Sequence, residues 1–206
     1  MKKVVILLCL FLLPGYSSIA AVEDTAPKLV VKELLEKIKA IKEEDGPATR
    51  EDAARNEKLK DEANSLVDIQ GLSRWSLGEY WDQRSKEEKK QFEELFGKIF
   101  KNVAYPKSGK FFRDLEVAFD REKTKGEEAS ISTTITHRKE GEIEIEYKLR
   151  PVNGKWLIYD VIMDGVSLGR NLKNKFLQTV RDGSYSDLVR KLEKKLAEKE
   201  IPEGLL

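Results

Sequence analysis

The sequence has few of the residues that most often carry enzyme chemistry or bind metals. Its 206 residues include one cysteine, Cys9, and one histidine, His137. A lone histidine does not make a zinc site, because zinc takes three or four protein ligands in a fixed geometry. Cys9 lies in an N-terminal apolar run that we expect to be removed, and no thiol then remains. Zinc–thiolate sites and cysteine nucleophiles are therefore excluded from the expected mature protein.

The chain also lacks an excess of charge of either sign. It has 38 basic and 37 acidic residues. A nearly neutral chain does not offer the basic surface that binds nucleic acid, so we expect no nucleic-acid partner. The alternating residues Glu142, Glu144 and Glu146 indicate the solvent side of a strand rather than a calcium site, because the spacing of a calcium-binding loop is missing.

The N-terminus has an apolar run, residues 4–13, that is about half as long as a membrane-spanning helix requires. Lys2 and Lys3 precede it, and a Pro-Gly pair and small residues follow. This order is typical of a cleavable secretory signal peptide, and a retained membrane anchor is the alternative. We predict a signal peptide over residues 1–21 and one domain over residues 22–206.

The first half of this domain has the periodicity of helices. Apolar residues recur every three or four positions over residues 27–44 and again over residues 86–103. Ser85 and Glu88 form a capping-box pattern at the start of the second of these stretches. A charged helix over residues 50–66, short helical turns over residues 67–81 and two closing helices after residue 167 complete the helical prediction.

After Lys110 the period changes from helical to two. Residues 115–120, 129–136 and 142–149 alternate apolar with polar, which predicts strands with one packed and one wet face. In a fourth run, residues 155–163, simple alternation places Trp156, Ile158 and Ile162 on one side and Leu157, Tyr159, Val161 and Met163 on the other. Glycines between the runs predict tight turns. The pattern indicates an α+β domain, a four-stranded antiparallel meander covered by helices on one face.

One enzyme-like motif is present, G-x-S-x-G at residues 165–169, with a strand before it and a helix after it. A hydrolase of that type needs a histidine after the serine in the chain, but His137 precedes Ser167. Ser167 is then better interpreted as a helix cap. Asp160 is either a buried acid or base, or a carboxylate that caps a helix or pairs with Arg170 or Lys173. We predict no enzyme activity, with an esterase using Ser167 or an enzyme using Asp160 as alternatives.

The packed side of the sheet and the helical stripes hold many large apolar residues. Periodicity alone favours an ordinary solid core, because protein interiors normally pack without voids. Composition does not distinguish such a core from a lined cavity.

The C-terminal half contains the string Trp-Leu-Ile-Tyr-Asp-Val-Ile-Met-Asp-Gly-Val-Ser-Leu at residues 156–168. This string resembles the signature of the MlaC family of toluene-tolerance auxiliary proteins. Residues 72–81 and 182–185 are also similar to segments of that family. The sequence departs from the pattern at Gly169, where a bulkier residue is commoner, and over residues 46–64, which are unusually charged.

The resemblance implies a periplasmic protein of a Gram-negative bacterium that needs no cofactor and binds a phospholipid with its acyl chains inside and its head group outside. Such a carrier ferries lipid between an outer-membrane lipoprotein complex and an inner-membrane ABC transporter with a ring of substrate-binding domains. A lipid-free adaptor of the same system is the alternative. The implied fold is an α+β, NTF2-like cone with a curved sheet. Together with strand parity, the resemblance implies these lipid-binding residues: Phe96, Ile99, Phe100, Tyr105, Val117, Phe119, Ile131, Ile135, Ile145, Tyr147, Leu149, Trp156, Ile158, Val166, Leu172 and Phe176.

Overall fold

The computed structural model describes residues 26–42, 49–137 and 141–203. The predicted signal peptide, residues 1–21, lies outside the described residues. The helices are α1 Pro27–Ala40, α2 Arg50–Ser65, α3 Ile69–Leu77, α4 Lys86–Ile99, α5 Tyr105–Phe112, α6 Leu168–Asp182 and α7 Tyr185–Ala197. The strands are β1 Glu116–Lys125, β2 Glu128–His137, β3 Gly141–Val152, β4 Lys155–Met163 and β5 Val166–Ser167.

The sheet is an antiparallel meander with the strand order β1-β2-β3-β4-β5. The α+β class and the antiparallel meander agree with the sequence analysis, but the predicted count of four strands was wrong. The fifth strand forms because Asp164 and Gly165 both have positive φ, 46° and 81°, and turn the chain directly back onto β4. β5 has two residues, too few for an alternation pattern to be visible.

An irregularity in β4 decides which of its side chains face the helices. Leu149 of β3 lies opposite Ile158, whereas Tyr147 lies opposite Val161, so β4 has one extra residue between these pairs. The bulge reverses the parity of the strand. Val161 and Met163 therefore share the packed face with Ile158, where simple alternation had placed Ile162.

Helices cover one face of the sheet and form the core with it. The core contains the buried residues Ile131, Ile135 and Leu149 of the sheet, Phe96 of α4 and Phe176 of α6. The rings of Phe96 and Phe176 meet edge to face with centroids 5.9 Å apart. The opposite face of β3 is turned to solvent, as the alternation predicts. None of the helices described is long and apolar enough to cross a bilayer.

Helices α4 and α5 are two parts of one helical rod joined by a π-helical turn at Phe100–Ala104. The predicted capping box starts this rod: the Glu88 amide donates to Ser85 Oγ, and the Ser85 amide donates to the Glu88 carboxylate. Pro106 near the start of α5 has no amide hydrogen to donate, which weakens the backbone ladder at the junction. The hydrogen bonding of the rod is thus weakest at the π turn, directly before α5.

Strand β1 forms one edge of the sheet. It bulges between Phe119 and Arg121, and all of its residues beyond Phe119 are exposed. Glu122 lies opposite the buried Ile131, which places this charged residue on the packed side of the sheet, beyond the cover of the helices.

Candidate functional site

An apolar pocket of about 150 Å³ lies between the packed face of the sheet and helices α1, α5 and α6. Helix α1 contributes Leu34, Leu35 and Ile38 to its wall, and the π turn and α5 contribute Phe100, Ala104, Tyr105, Ser108 and Phe112. The sheet contributes Ile145, Tyr147, Ile158, Tyr159, Asp160, Val161 and Met163. The rest of the wall is Val67, Leu72, Leu168, Gly169, Leu172 and Ile201.

The structure divides the residues that the sequence analysis selected into three groups. Lining the pocket are Phe100, Tyr105, Ile145, Tyr147, Ile158 and Leu172. Buried in the core but not lining the pocket are Phe96, Ile99, Ile131, Ile135, Leu149 and Phe176. Away from the pocket are Val117 and Phe119 in a groove beside α1, the half-buried Trp156, and Val166, which is 49% exposed.

Several lining residues were missed for identifiable reasons. Leu34, Leu35 and Ile38 were recognised as a helical stripe, but the sequence carries no signal of what that stripe faces. Val161 was placed on the wrong side of β4 because the bulge is invisible to an alternation pattern. Ile201 follows the last helix, in a tail with no periodicity at all.

Asp160 marks the polar edge of the pocket. Its Oδ1 accepts hydrogen bonds from the amides of Val161 and Gly169 at 2.9 and 3.0 Å, and its Oδ2 accepts one from the Ser167 hydroxyl at 2.6 Å. Ser167 Oγ accepts in turn from the amide of Arg170 at 3.0 Å. Both side chains therefore satisfy amides at the start of α6, where a negative charge is also favoured by the helix dipole.

Gly169 is a glycine because its neighbours leave no room for a side chain. A Cβ at this position would lie 2.9 Å from Asp160 Oδ1 and 3.1 Å from the ring of Trp75. The departure from the family pattern at Gly169 thus has a local cause, since it lets α6 start directly against Asp160 and Trp75.

A polar recess lies next to the pocket at Asp160. The recess is lined by Gly71, Leu72, Trp75, Arg150, Tyr159 and Asp160, and it shares Leu72, Tyr159 and Asp160 with the apolar pocket. A wider surface groove shares Gly71, Trp75 and Arg150 with the recess and adds Arg74 and Lys173. The apolar pocket, the recess and the surface groove therefore lie side by side.

The surface groove is lined by three cationic side chains, Arg74, Arg150 and Lys173, and by the carboxylates of Asp68, Asp82 and Glu93. The Arg150 guanidinium donates from Nε and Nη2 to Asp68 Oδ2 at 3.0 and 2.6 Å, and it lies over the ring of Tyr159. Asp68 is only 5% exposed and also caps α3 through the Gly71 amide, so its charge is shared between Arg150 and the helix end. The Lys173 ammonium lies 5.0 Å from the centre of the Trp75 ring.

Two of the tyrosines that line the apolar pocket, Tyr105 and Tyr147, are buried. Burial raises the pKa of Tyr105 and of Tyr147 far above the usual value for tyrosine, so both remain neutral at pH 7. Tyr105 donates a hydrogen bond of 3.1 Å to Asn64 Oδ1. The inner pocket is therefore uncharged, and its one ionisable carboxylate, Asp160, lies at the edge.

Metal chemistry finds no support in this geometry. Within residues 26–42, 49–137 and 141–203, no group of three or more histidine, cysteine or acidic residues is placed to hold a metal ion. The arrangement is suited to binding an apolar group with a polar end, because an apolar pocket adjoins a recess that carries Arg150 and Asp160.

Comparisons with known proteins identify the family and the fold of the chain. The sequence profile of the MlaC protein family matches residues 30–194. No curated protein matches the chain. The fold resembles the solved structure of a phospholipid-binding protein from Ralstonia solanacearum in complex with a phospholipid, with a TM-score of 0.67 and 20% identity over 84% of this chain and 95% of that one.

Proposed function

This chain belongs to the MlaC family, and we propose on that basis that it is a carrier that holds the acyl chains of a phospholipid in its apolar pocket. The observation that carries the proposal is the pocket itself, an apolar space between sheet and helices with a polar recess beside it. The similar fold of the Ralstonia solanacearum protein, which was solved with a phospholipid, supports it.

The chemistry of the pocket wall favours acyl chains over other ligands. Aliphatic and aromatic side chains dominate the wall, and the tyrosines in it are neutral. Each methylene group that leaves water for such surroundings gains about 0.8 kcal/mol. A bilayer offers nearly the same gain, so a lipid can pass between protein and membrane without a large change in free energy. Selection among chain lengths is expected to be loose, since one methylene changes affinity by only about 1–3 kcal/mol.

The polar recess suits the head group of the same lipid. Arg150 presents a cation there beside the carboxylate of Asp160, and Lys173 lies in the adjoining surface groove. Trp75 and Tyr159 present aromatic rings of the kind found where apolar and aqueous regions meet. A phosphate at this place would contact the guanidinium or the ammonium while the chains stay inside.

A whole acyl chain requires the pocket to widen. Its volume of about 150 Å³ is close to that of an engineered apolar cavity that accepts benzene, and pockets for larger ligands hold about 300–1,000 Å³. Helix α5 is the element best placed to move, because the π turn and Pro106 interrupt the rod where α5 begins. Phe112 and Ser108 of α5 would move outward with it and leave the sheet side of the pocket unchanged.

The wider role that follows is a shuttle in the periplasm. The protein is exported by a cleavable signal peptide over residues 1–21, and residues 22–206 form one lipid-binding domain shaped as a cone. It exchanges phospholipid with an outer-membrane lipoprotein complex and with an inner-membrane ABC transporter bearing a ring of substrate-binding domains, and those partners set the direction. The capping roles of Ser167 and Asp160 favour this carrier over an esterase.

The decisive experiment is extraction of the purified protein followed by lipid mass spectrometry. About one phospholipid per chain is expected, and a protein that is free of lipid and takes none from vesicles would instead be an adaptor. Leu35→Trp, which fills the pocket from α1, should lower the lipid content severalfold. Leu29→Trp is the matched control, because Leu29 lies on the same helix, does not line the pocket and is 53% exposed. Circular dichroism of both variants checks that they fold.

A further inference from the structure

The chain after α7 lies beyond the matched residues 30–194, and yet it forms part of the pocket. Residues 199–203, the C-terminal strap, follow the last helix. Ile201 of the strap lines the pocket and is half-buried, and Pro202 beside it is buried. The pocket of this protein is therefore lined in part by a segment outside the match to the family profile.

The strap reaches the pocket because the chain reverses after α7. Lys199 has φ of 52°, a left-handed conformation that is unfavourable for a residue with a side chain. The amide of Lys199 donates to the carbonyl of Leu196 at 3.2 Å, and the amide of Glu200 donates to the carbonyl of Lys195 at 2.9 Å. These bonds end the helix and direct the next residue, Ile201, back toward the interior.

Exposed ion pairs hold the strap on two helices. The Lys195 ammonium of α7 donates to Glu200 at 2.5 Å, and the Lys175 ammonium of α6 lies 3.7 Å from Glu203. Ion pairs of this kind at a surface contribute little stability. The strap is thus anchored by one half-buried apolar side chain, a buried proline and weak charge pairs, which is a combination that can open without unfolding of the domain.

We infer that the C-terminal strap is a closure over the apolar pocket, with Ile201 as its plug, and that its opening controls how fast an acyl chain enters and leaves. This inference rests on the proposed function for the identity of the ligand. The strap forms a wall of the pocket that is separate from the one formed by α5. The strap therefore controls entry to the pocket, whereas movement of α5 controls the volume of the pocket.

The test compares Ile201→Ala with the unchanged protein and with Val189→Ala. Val189 is a half-buried β-branched residue on α7 that does not line the pocket, so it controls for loss of apolar volume near the strap. The first measurement is the rate at which phosphatidylethanolamine with a pyrene-labelled chain leaves the protein for phosphatidylglycerol vesicles. The second is the rate at which diphenylhexatriene, a fluorescent rod-shaped hydrocarbon, enters the protein from water.

Both rates should rise about tenfold in Ile201→Ala, which is a barrier lower by about 1.4 kcal/mol, and should stay within twofold in Val189→Ala. Glu200→Gln, which removes only the charge of the surface ion pair with Lys195, should give a smaller increase than Ile201→Ala. Equal rates of dye entry in Ile201→Ala and the unchanged protein would overturn the inference that the strap controls entry to the pocket. The dye decides this point even if the unchanged protein carries no phospholipid, a result that would count against the proposed function alone.

Discussion

The Ser167 hydroxyl donates a 2.6 Å hydrogen bond to Asp160 Oδ2 while its oxygen accepts from the amide of Arg170. Serine and carboxylate thus act together as a cap for α6. A nucleophile needs a free hydroxyl and a base to take its proton, and this hydroxyl instead holds a carboxylate that is already bound by two amides.

Replacing Ser167 with alanine should therefore affect folding rather than chemistry. Loss of the cap is expected to lower the free energy of unfolding by about 1 kcal/mol, measured by urea denaturation. Lipid content after purification should stay within the error of the unchanged protein. A variant that keeps its lipid but loses a measurable esterase activity would contradict this prediction.

The bulge in β4 predicts a clear difference between two neighbouring residues. Val161 lies opposite Tyr147 and lines the pocket, whereas Ile162 lies opposite Glu146 on the other face of the sheet. Val161→Trp should reduce the bound phospholipid severalfold because the indole occupies the cavity, and Ile162→Trp should leave it unchanged. Mass spectrometry of extracts from both variants provides the comparison. The reverse result would mean that β4 alternates simply and that the bulge is wrong.

Gly109 brings α5 into direct contact with α1. A Cβ at this position would overlap the carbonyl oxygen of Ile38, which is backbone and has no freedom to turn away. Gly109→Ala should lower the free energy of unfolding by about 2 kcal/mol, the usual effect of overpacking. Thermal and urea denaturation measure the change.

Gly97 in α4 supplies the matched control for that substitution. A Cβ there would meet Asn64 Nδ2 and Ile69 at 3.6 and 3.8 Å, which are ordinary contacts. Gly97→Ala should raise the free energy of unfolding by about 0.5–1 kcal/mol, since alanine is the better helix former. If both substitutions shifted stability in the same direction, close packing would not be the cause.

The buried tyrosine Tyr147 predicts a loss of stability in alkali. Its pKa is raised by burial in the folded protein, whereas in the unfolded chain the pKa of tyrosine is about 10. Above that pH the unfolded chain releases a proton that the folded protein keeps, so the free energy of unfolding falls with rising pH. One such group gives a slope of up to about 1.4 kcal/mol per pH unit.

Tyr147→Phe should make the pH dependence between about pH 10 and 12 less steep, because the variant has one tyrosine fewer to ionise on unfolding. Urea denaturation at a series of pH values measures both slopes. Lysines titrate in the same range but are common to both proteins, so the difference isolates the tyrosine. Parallel curves for the two proteins would show that Tyr147 ionises freely in the folded state.

Local signals predicted much of the fold from the sequence. The capping box at Ser85 and Glu88 and the alternation of β2 and β3 depend on neighbouring residues, and the structure has them as predicted. The bulge in β4 and the two-residue strand β5 depend on how the chain pairs across space, which no pattern along one strand records. For this reason the prediction placed Val161, Ile162 and Met163 of β4 on the wrong faces of the sheet and missed strand β5.

The candidate site was harder to predict for a different reason. Phe96 and Phe100 lie one helical turn apart in the same stripe, and their rings contact edge to face with centroids 5.1 Å apart. Only Phe100 lines the pocket, because the cavity begins where the rod changes to the π turn. Amphipathic periodicity reports that a side chain is covered, but not whether the cover is another side chain or an empty space.

The charged edge strand β1 bears on how this protein behaves in concentrated solution. An unpaired strand edge is a template onto which another chain can add, and that addition is the first step toward fibrils. Here the kink after Phe119 bends the edge, and a chain that added beyond it would have to pack against Glu122. The bulge and Glu122 therefore disfavour the addition of another chain to this part of the edge, and we expect β1 not to extend the sheet between molecules.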